Sequence, residues 1–149
     1  MRITLDTNVL VSAFIEKLGH PANLLELCLT IEDMELVLSQ PILKEFEEVL
    51  KRDEVRERFS YTDRDIREIV NRIRTSSRIV FPRLQLRMIR SDPKDDVILW
   101  TACDGKADYI VSGDRHLLNL KRFRGIKIVS PTEMMEIISK KFPEFVFRF

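Results

Sequence analysis

Four carboxylates occupy positions where an apolar segment meets an expected strand end or helix start: Asp6 in LDTNVLVSA, Glu45 in LSQPILKEF, Asp96 in DPKDDVILW and Asp114 in YIVSGD. An ionised side chain in such surroundings is costly unless something cationic balances it. A divalent metal held by oxygen ligands supplies that balance, and acids arranged this way point to a metal-dependent nuclease.

The elements that must position these acids alternate between strand and helix. Arg2 to Asp6 reads as a buried strand, Asn8 to Glu16 as the helix leaving it, and Ala22 to Ile31 as a second helix after His20-Pro21. Met34 to Ser39 is the next strand, followed by a helix opening at Pro41, a residue favoured in the first turn. Helices are expected over Asp53 to Ser60 and Thr62 to Thr75, the latter carrying Ile66, Ile69, Val70 and Ile73 at helical spacing. Arg78 to Phe81 is a short β-branched run, and Asp92-Pro93 opens a helix through about Lys106, with Gly105 marking its end. Tyr109 to Ser112 and Ile126 to Val129 have strand length, and Ser130-Pro131 opens a last helix to about Lys141. This alternation predicts a parallel sheet with helices on both faces, in which ligands bind at the carboxyl ends of the strands. Asp6 and Asp114 fall at such ends.

Local context separates structural acids from chemical ones. Asp92 suits an N-cap before Pro93, and Asp95 can complete a capping-box-like pair, so both have a structural explanation. Asp96 has none, because it shares a helix face with Leu99, Trp100 and Cys103. In the helix after Pro41, Glu45 and Glu47 border the stripe of Ile42, Leu43, Phe46, Val49 and Leu50 on opposite edges, and periodicity does not choose between them. Asp6 can cap the helix after it as well as bind metal. A phosphoryl-accepting role of the haloacid-dehalogenase type is disfavoured, since its second aspartate is replaced by Asn8. In SGD, Gly113 permits a tight turn and Asp114 can cap a short helix. His116 reads as a surface or helix-packing residue, with contact to substrate as the alternative, and His20 as a turn residue.

With 149 residues, 44% of them hydrophobic, the chain fits one globular domain, read as 1–141, and a Phe-rich tail, 142–149. Phe145, Phe147 and Phe149 alternate with Val146 and Arg148, which predicts a short strand that either folds back or serves a homodimer or partner surface. The two cysteines, Cys28 and Cys103, are isolated in apolar helical patterns and suggest neither a disulfide framework nor a zinc knuckle. The N-terminus lacks the pattern of a signal peptide and no run spans a membrane, so a soluble cytoplasmic protein is expected. Net charge is +1, but basic residues cluster. Arginines occupy 64, 67, 72, 74, 78, 83, 87 and 90 against Asp65 and Glu68, and Arg115, Lys121, Arg122, Arg124 and Lys127 follow with no acid among them. Either run can be a solvated surface or a phosphate track, and Arg115 beside Asp114 is the candidate substrate contact.

Taken together, LDTNVLVSA, the glutamate six residues after Ser39, DPKDD and ADYIVSGDRHLLNL resemble the PIN-domain nucleases, and within them the VapC-like toxins of toxin–antitoxin modules. The resemblance spans about Met1 to Glu133. It implies a three-layer α/β/α sandwich with a central parallel sheet and an Mg²⁺- or Mn²⁺-dependent endoribonuclease site. Carried over by position, Asp6, Glu45 rather than Glu47, Asp96 and Asp114 are the catalytic metal ligands. Asn8 and Ser112 match polar positions beside them, and Asp92 and Asp95 match a DPxD element with an auxiliary role. RNA as substrate, an antitoxin protein and a homodimer are the partners implied. A non-catalytic RNA-binding or regulatory domain of the same fold is the alternative. A nucleotide-binding domain of another class is disfavoured, because the four glycines form neither a G-x-G-x-x-G nor a Walker A loop.

Overall fold

The structure is a computed structural model that describes residues 1–81 and 93–148, with no side-chain description for residues 93–95 and 146–148. Asp92 therefore lies outside the described residues, as does the side chain of Asp95.

The chain runs β1 (Arg2–Leu5), α1 (Thr7–Ile15), α2 (His20–Thr30), β2 (Glu35–Ser39), α3 (Gln40–Leu50), α4 (Asp53–Phe59), α5 (Asp63–Ser76) and β3 (Arg78–Val80). It continues with α6 (Pro93–Asp104), β4 (Tyr109–Val111), α7 (Arg115–Leu120), β5 (Arg122–Phe123), β6 (Ile126–Val129) and α8 (Pro131–Lys141). The starts follow local chemistry. Pro21, Pro41 and Pro131 sit in the first turns of their helices, and Thr62 and Ser130 close capping boxes with Asp65 and Glu133.

The strands form a sheet in the order β3-β2-β1-β4-β6-β5. All neighbours are parallel except β5, which pairs antiparallel with β6. The parallel sheet was expected. The β5 edge was not, since two residues are too short to show an alternating pattern. Both faces of the central strands are apolar and covered: Ile3, Leu5, Leu36, Val37, Leu38, Ile110 and Val111 are all buried. From β1 the chain steps outward through β2 to β3, then crosses back to β4 on the other side of β1. With the right-handed crossovers that parallel strands take as a rule, the earlier helices and α6 fall on opposite faces of the three-layer α/β/α sandwich. On one side α2 packs against α1 and α8, and on the other α6 packs across β1, β2 and β4.

α6 is buried at Ile98, Leu99, Trp100, Thr101 and Ala102 in succession, so it is wedged rather than half-solvated. The buried Thr101 hydroxyl donates to Ser39 at 2.8 Å, pinning the helix to the end of β2. Its C-terminus lies so close to the sheet that a Cβ at Gly105 would collide with the Val37 side chain. Gly105 is thus needed for close approach, whereas the left-handed backbone falls on Lys106, φ 53°. Gly105→Ala is expected to cost about 1–3 kcal/mol, as overpacking does, and a lowered urea midpoint with an unchanged slope would verify it.

The tail departs from the expected strand. Pro143–Arg148 forms a 3₁₀ helix, and residues three apart share a side in that geometry. Phe142, buried, and Phe145, half-buried, meet edge to face with centroids 6.4 Å apart, folding the segment back on α8. The three-residue spacing of these rings prevails over the two-residue alternation. Cys28 is a core residue of α2, and burial pushes its thiol up to about 12, so it stays protonated at neutral pH. Among the described residues no helix is long and apolar enough to cross a membrane.

Candidate active site

The strand order reverses direction between β1 and β4, and an open parallel sheet leaves its ligand crevice at the carboxyl ends of the strands flanking such a reversal. Leu5 pairs with Val111 in register, and the Asp6 amide donates to the Val111 carbonyl at 2.9 Å. Asp6 and Ser112 are consequently neighbours at the mouth of the crevice. The buried Ser112 hydroxyl donates to Asp6 Oδ2 at 2.8 Å and accepts from the Asp114 amide at 2.9 Å, so one side chain holds two acid-bearing turns together.

Asp6 stands at the N-cap position of α1, and its backbone carbonyl accepts from Val9 and Leu10. Its carboxylate is turned toward Ser112, although the Thr7 backbone amide also favours the charged form. Burial raises the Asp6 pKa above 3.8. The bonds from Ser112 and Thr7 oppose that rise, while the nearby charges of Asp114 and Glu45 add to it. Asp114 keeps its capping role as well, accepting from the His116 amide at 2.8 Å at the start of α7.

Glu45 and Glu47 part company in three dimensions. Glu45 Oε2 accepts from the Thr7 hydroxyl at 3.1 Å, beside Asp6, whereas Glu47 pairs with Lys51 at 3.0 Å on the outer flank of α3. Sequence reasoning missed this contact of Thr7, whose place directly after Asp6 was the available signal. Asp96 is only 4% exposed on α6, in keeping with its expected inward face. Because residues on every side of that helix are buried from Ile98 to Ala102, the stripe alone carried less information than its pattern implied.

Asn8 is exposed on α1, and Arg115 is exposed on α7 directly after Asp114. Gly113 has no special duty: its backbone is ordinary and a Cβ there would meet nothing within 4 Å. The structure therefore brings Asp6, Glu45, Ser112 and Asp114 together and buries Asp96 on the helix crossing β1. Among the described residues no three histidine, cysteine, aspartate or glutamate side chains stand as a ready-made metal cluster.

The donor set is nevertheless one a hard divalent cation suits. Its candidate ligands are all oxygens, and desolvation, with the nearby charges of Asp114 and Glu45, disfavours the charged form of the half-buried Asp6. An acid-lined crevice at the reversal point of a parallel α/β/α sheet defines the general class. The chain belongs to the PIN-domain family, whose model matches residues 2–116. Members of that family are generally nucleases that use divalent metal ions. Its fold is similar to a chain of VapBC2 from Rickettsia felis, solved bound to a DNA fragment from their promoter. That match has a TM-score of 0.57 and 16% identity, covering 87% of this chain and 98% of the other. No curated protein sequence matches the chain.

Proposed function

We infer that this chain is a metal-dependent endoribonuclease and the toxin component of a toxin–antitoxin module. The observation that carries this reading is the half-buried Asp6 carboxylate at the crevice, tied to the end of β4 by Ser112, with Asp114 and with Glu45, held by Thr7, beside it. Acids gathered so closely gain from a cation that balances their charge.

Asp6, Glu45, Asp96 and Asp114 would hold Mg²⁺ or Mn²⁺, with Asp92 and Asp95 in supporting roles. The bound ion would supply acidification of water and neutralisation of charge for in-line displacement at phosphorus. The protein's own part is positioning. Ser112 fixes one oxygen of Asp6, Thr7 fixes one oxygen of Glu45, and the α7 amide holds one oxygen of Asp114. Asn8, exposed on α1, would assist beside the acids, and Arg115, exposed on α7, would contact the phosphodiester. Support for the toxin assignment comes from the VapC-like sequence pattern and from a structural neighbour that is itself a VapBC complex. An antitoxin partner, a homodimer and a cytoplasmic location accompany that assignment.

The second reading, a non-catalytic RNA-binding domain, is favoured by the absence of a ready-made metal cluster among the described residues. Incubation with single-stranded RNA distinguishes the two. Cleavage is expected with Mg²⁺ or Mn²⁺ and should stop on chelation. Binding without cleavage under any divalent ion would establish the non-catalytic reading instead.

A further inference from the structure

The two basic runs, equivalent as sequence, differ in what their charges do. In the first, Arg64, Arg72 and Arg78 are ion-paired with Glu68, Glu26 and Glu35, while Arg67 and Arg74 are exposed and among the described residues make no ion pair. In the second, Arg115, Lys121, Arg122, Arg124 and Lys127 are all exposed, and among the described residues none makes an ion pair. Arg122 and Lys127 are register partners across the antiparallel β5–β6 pair. Like charges directly opposite each other repel, so the hairpin carries an unfavourable pair that an anion would relieve.

These two cations and Lys121 line a cleft of about 430 Å³ against α8. The cleft's acid, Glu133, is turned to the Ser130 amide in its capping box. The hairpin is also held rigidly. Its turn is Arg124-Gly125, with φ of 49° and 84°, and Phe123 meets Trp100 of α6 edge to face at 5.7 Å. The Arg124 guanidinium lies over Trp100 at 4.8 Å from the ring centroid. The helix that buries Asp96 thus anchors the basic hairpin, and α7 joins it directly to Asp114.

We propose that the outer surface of α7 and the β5–β6 hairpin form a phosphate-binding strip for the single-stranded RNA that flanks the scissile bond. This rests on the nuclease reading above. The acids alone repel a polyanion; a fixed row of cations leading away from them along the sheet edge reverses that and sets the strand's direction. The strip has no preference among bases, because its contacts are to backbone charge. Edge strands also carry cations to discourage pairing with other chains, and that alternative predicts a different outcome.

The test uses full-length protein carrying Arg122→Gln and Lys127→Gln, which spares the Arg124 packing. Binding of a fluorescent oligouridylate is followed across a salt series, alongside cleavage of that RNA and of an oligonucleotide too short to reach the hairpin. Two lost single-strand contacts should lower the slope of log affinity against log salt by about 1.4 and weaken binding ~10-fold at moderate salt. Cleavage of the short substrate should match wild type, and melting should not fall, since two opposed charges have been removed. Wild-type affinity and slope in a nuclease that still cleaves would overturn the strip alone. Unchanged RNA binding with new self-association would assign the charges to edge protection. A wild-type protein that neither binds nor cleaves RNA would overturn strip and nuclease reading together.

Discussion

Asp6→Asn or Asp96→Asn is expected to abolish metal-dependent RNA cleavage, by about 1,000-fold or more, with the fold intact. Several kcal/mol of metal-derived stabilisation is at stake, and each ~1.4 kcal/mol is worth tenfold in rate. Asparagine keeps the shape of the side chain and an oxygen that can still accept from Ser112, so what is lost is the charge that attracts the cation. Rates measured under single-turnover conditions, with circular dichroism to confirm folding, are the check. Wild-type activity in both variants would remove these acids from the site.

The same Asp6 substitution has a signature in stability that does not depend on catalysis. Burial and the charges of Asp114 and Glu45 raise the folded-state pKa of Asp6 above its unfolded value of 3.8. The folded protein therefore binds this proton more tightly than the unfolded chain does. Stability from this group is fully present below 3.8 and is lost as the pH rises through the raised folded value. In chelator at neutral pH, Asp6→Asn should consequently melt higher than wild type, and the gap should close as the pH falls toward 3.8. Adding Mg²⁺ should raise the wild-type melting temperature and leave the variant nearly unmoved.

What was legible in the chain and what was not divides along the range of the forces involved. The strand before Asp6 and the helix starts at Thr62, Pro93 and Ser130 are local, and their residues announce them. Burial of Asp96 was also readable, because Leu99 and Trp100 share its helix face and both are buried. Pairing across space was not. The Arg72 guanidinium meets both carboxylate oxygens of Glu26, 46 residues away, at 3.1 and 2.9 Å, and nothing in either segment foretells it. The role of Gly105 is of the same kind, since only the position of Val37 on β2 forbids a side chain there. Short elements escaped for another reason: neither the two residues of β5 nor the six of the terminal 3₁₀ helix sustain a period long enough to identify.

The choice between Glu45 and Glu47 is the sharpest instance, and it leads to an expected difference of orders of magnitude between two conservative variants. Both flank the buried stripe of Ile42, Leu43, Phe46 and Leu50, and helical geometry treats them alike. Thr7, 38 residues earlier in the chain, breaks the symmetry by donating its hydroxyl to Glu45 at 3.1 Å beside Asp6. Glu47 instead forms a solvent-exposed pair with Lys51 one helical turn on, a contact worth about 0.3–0.5 kcal/mol. Glu45→Gln should therefore lower cleavage by about 100-fold, consistent with losing a charged ligand whose contribution is a few kcal/mol. It should also lower the Asp6 pKa, because one of the charges raising it has gone. Glu47→Gln should leave the rate within about twofold of wild type and cost no more than its exposed pair is worth. The paired rates decide the matter, since both swaps remove one charge from the same helix and differ only in what that charge faces. A large loss at Glu47 with little at Glu45 would place the other edge of α3 at the metal and exclude Glu45 from the site.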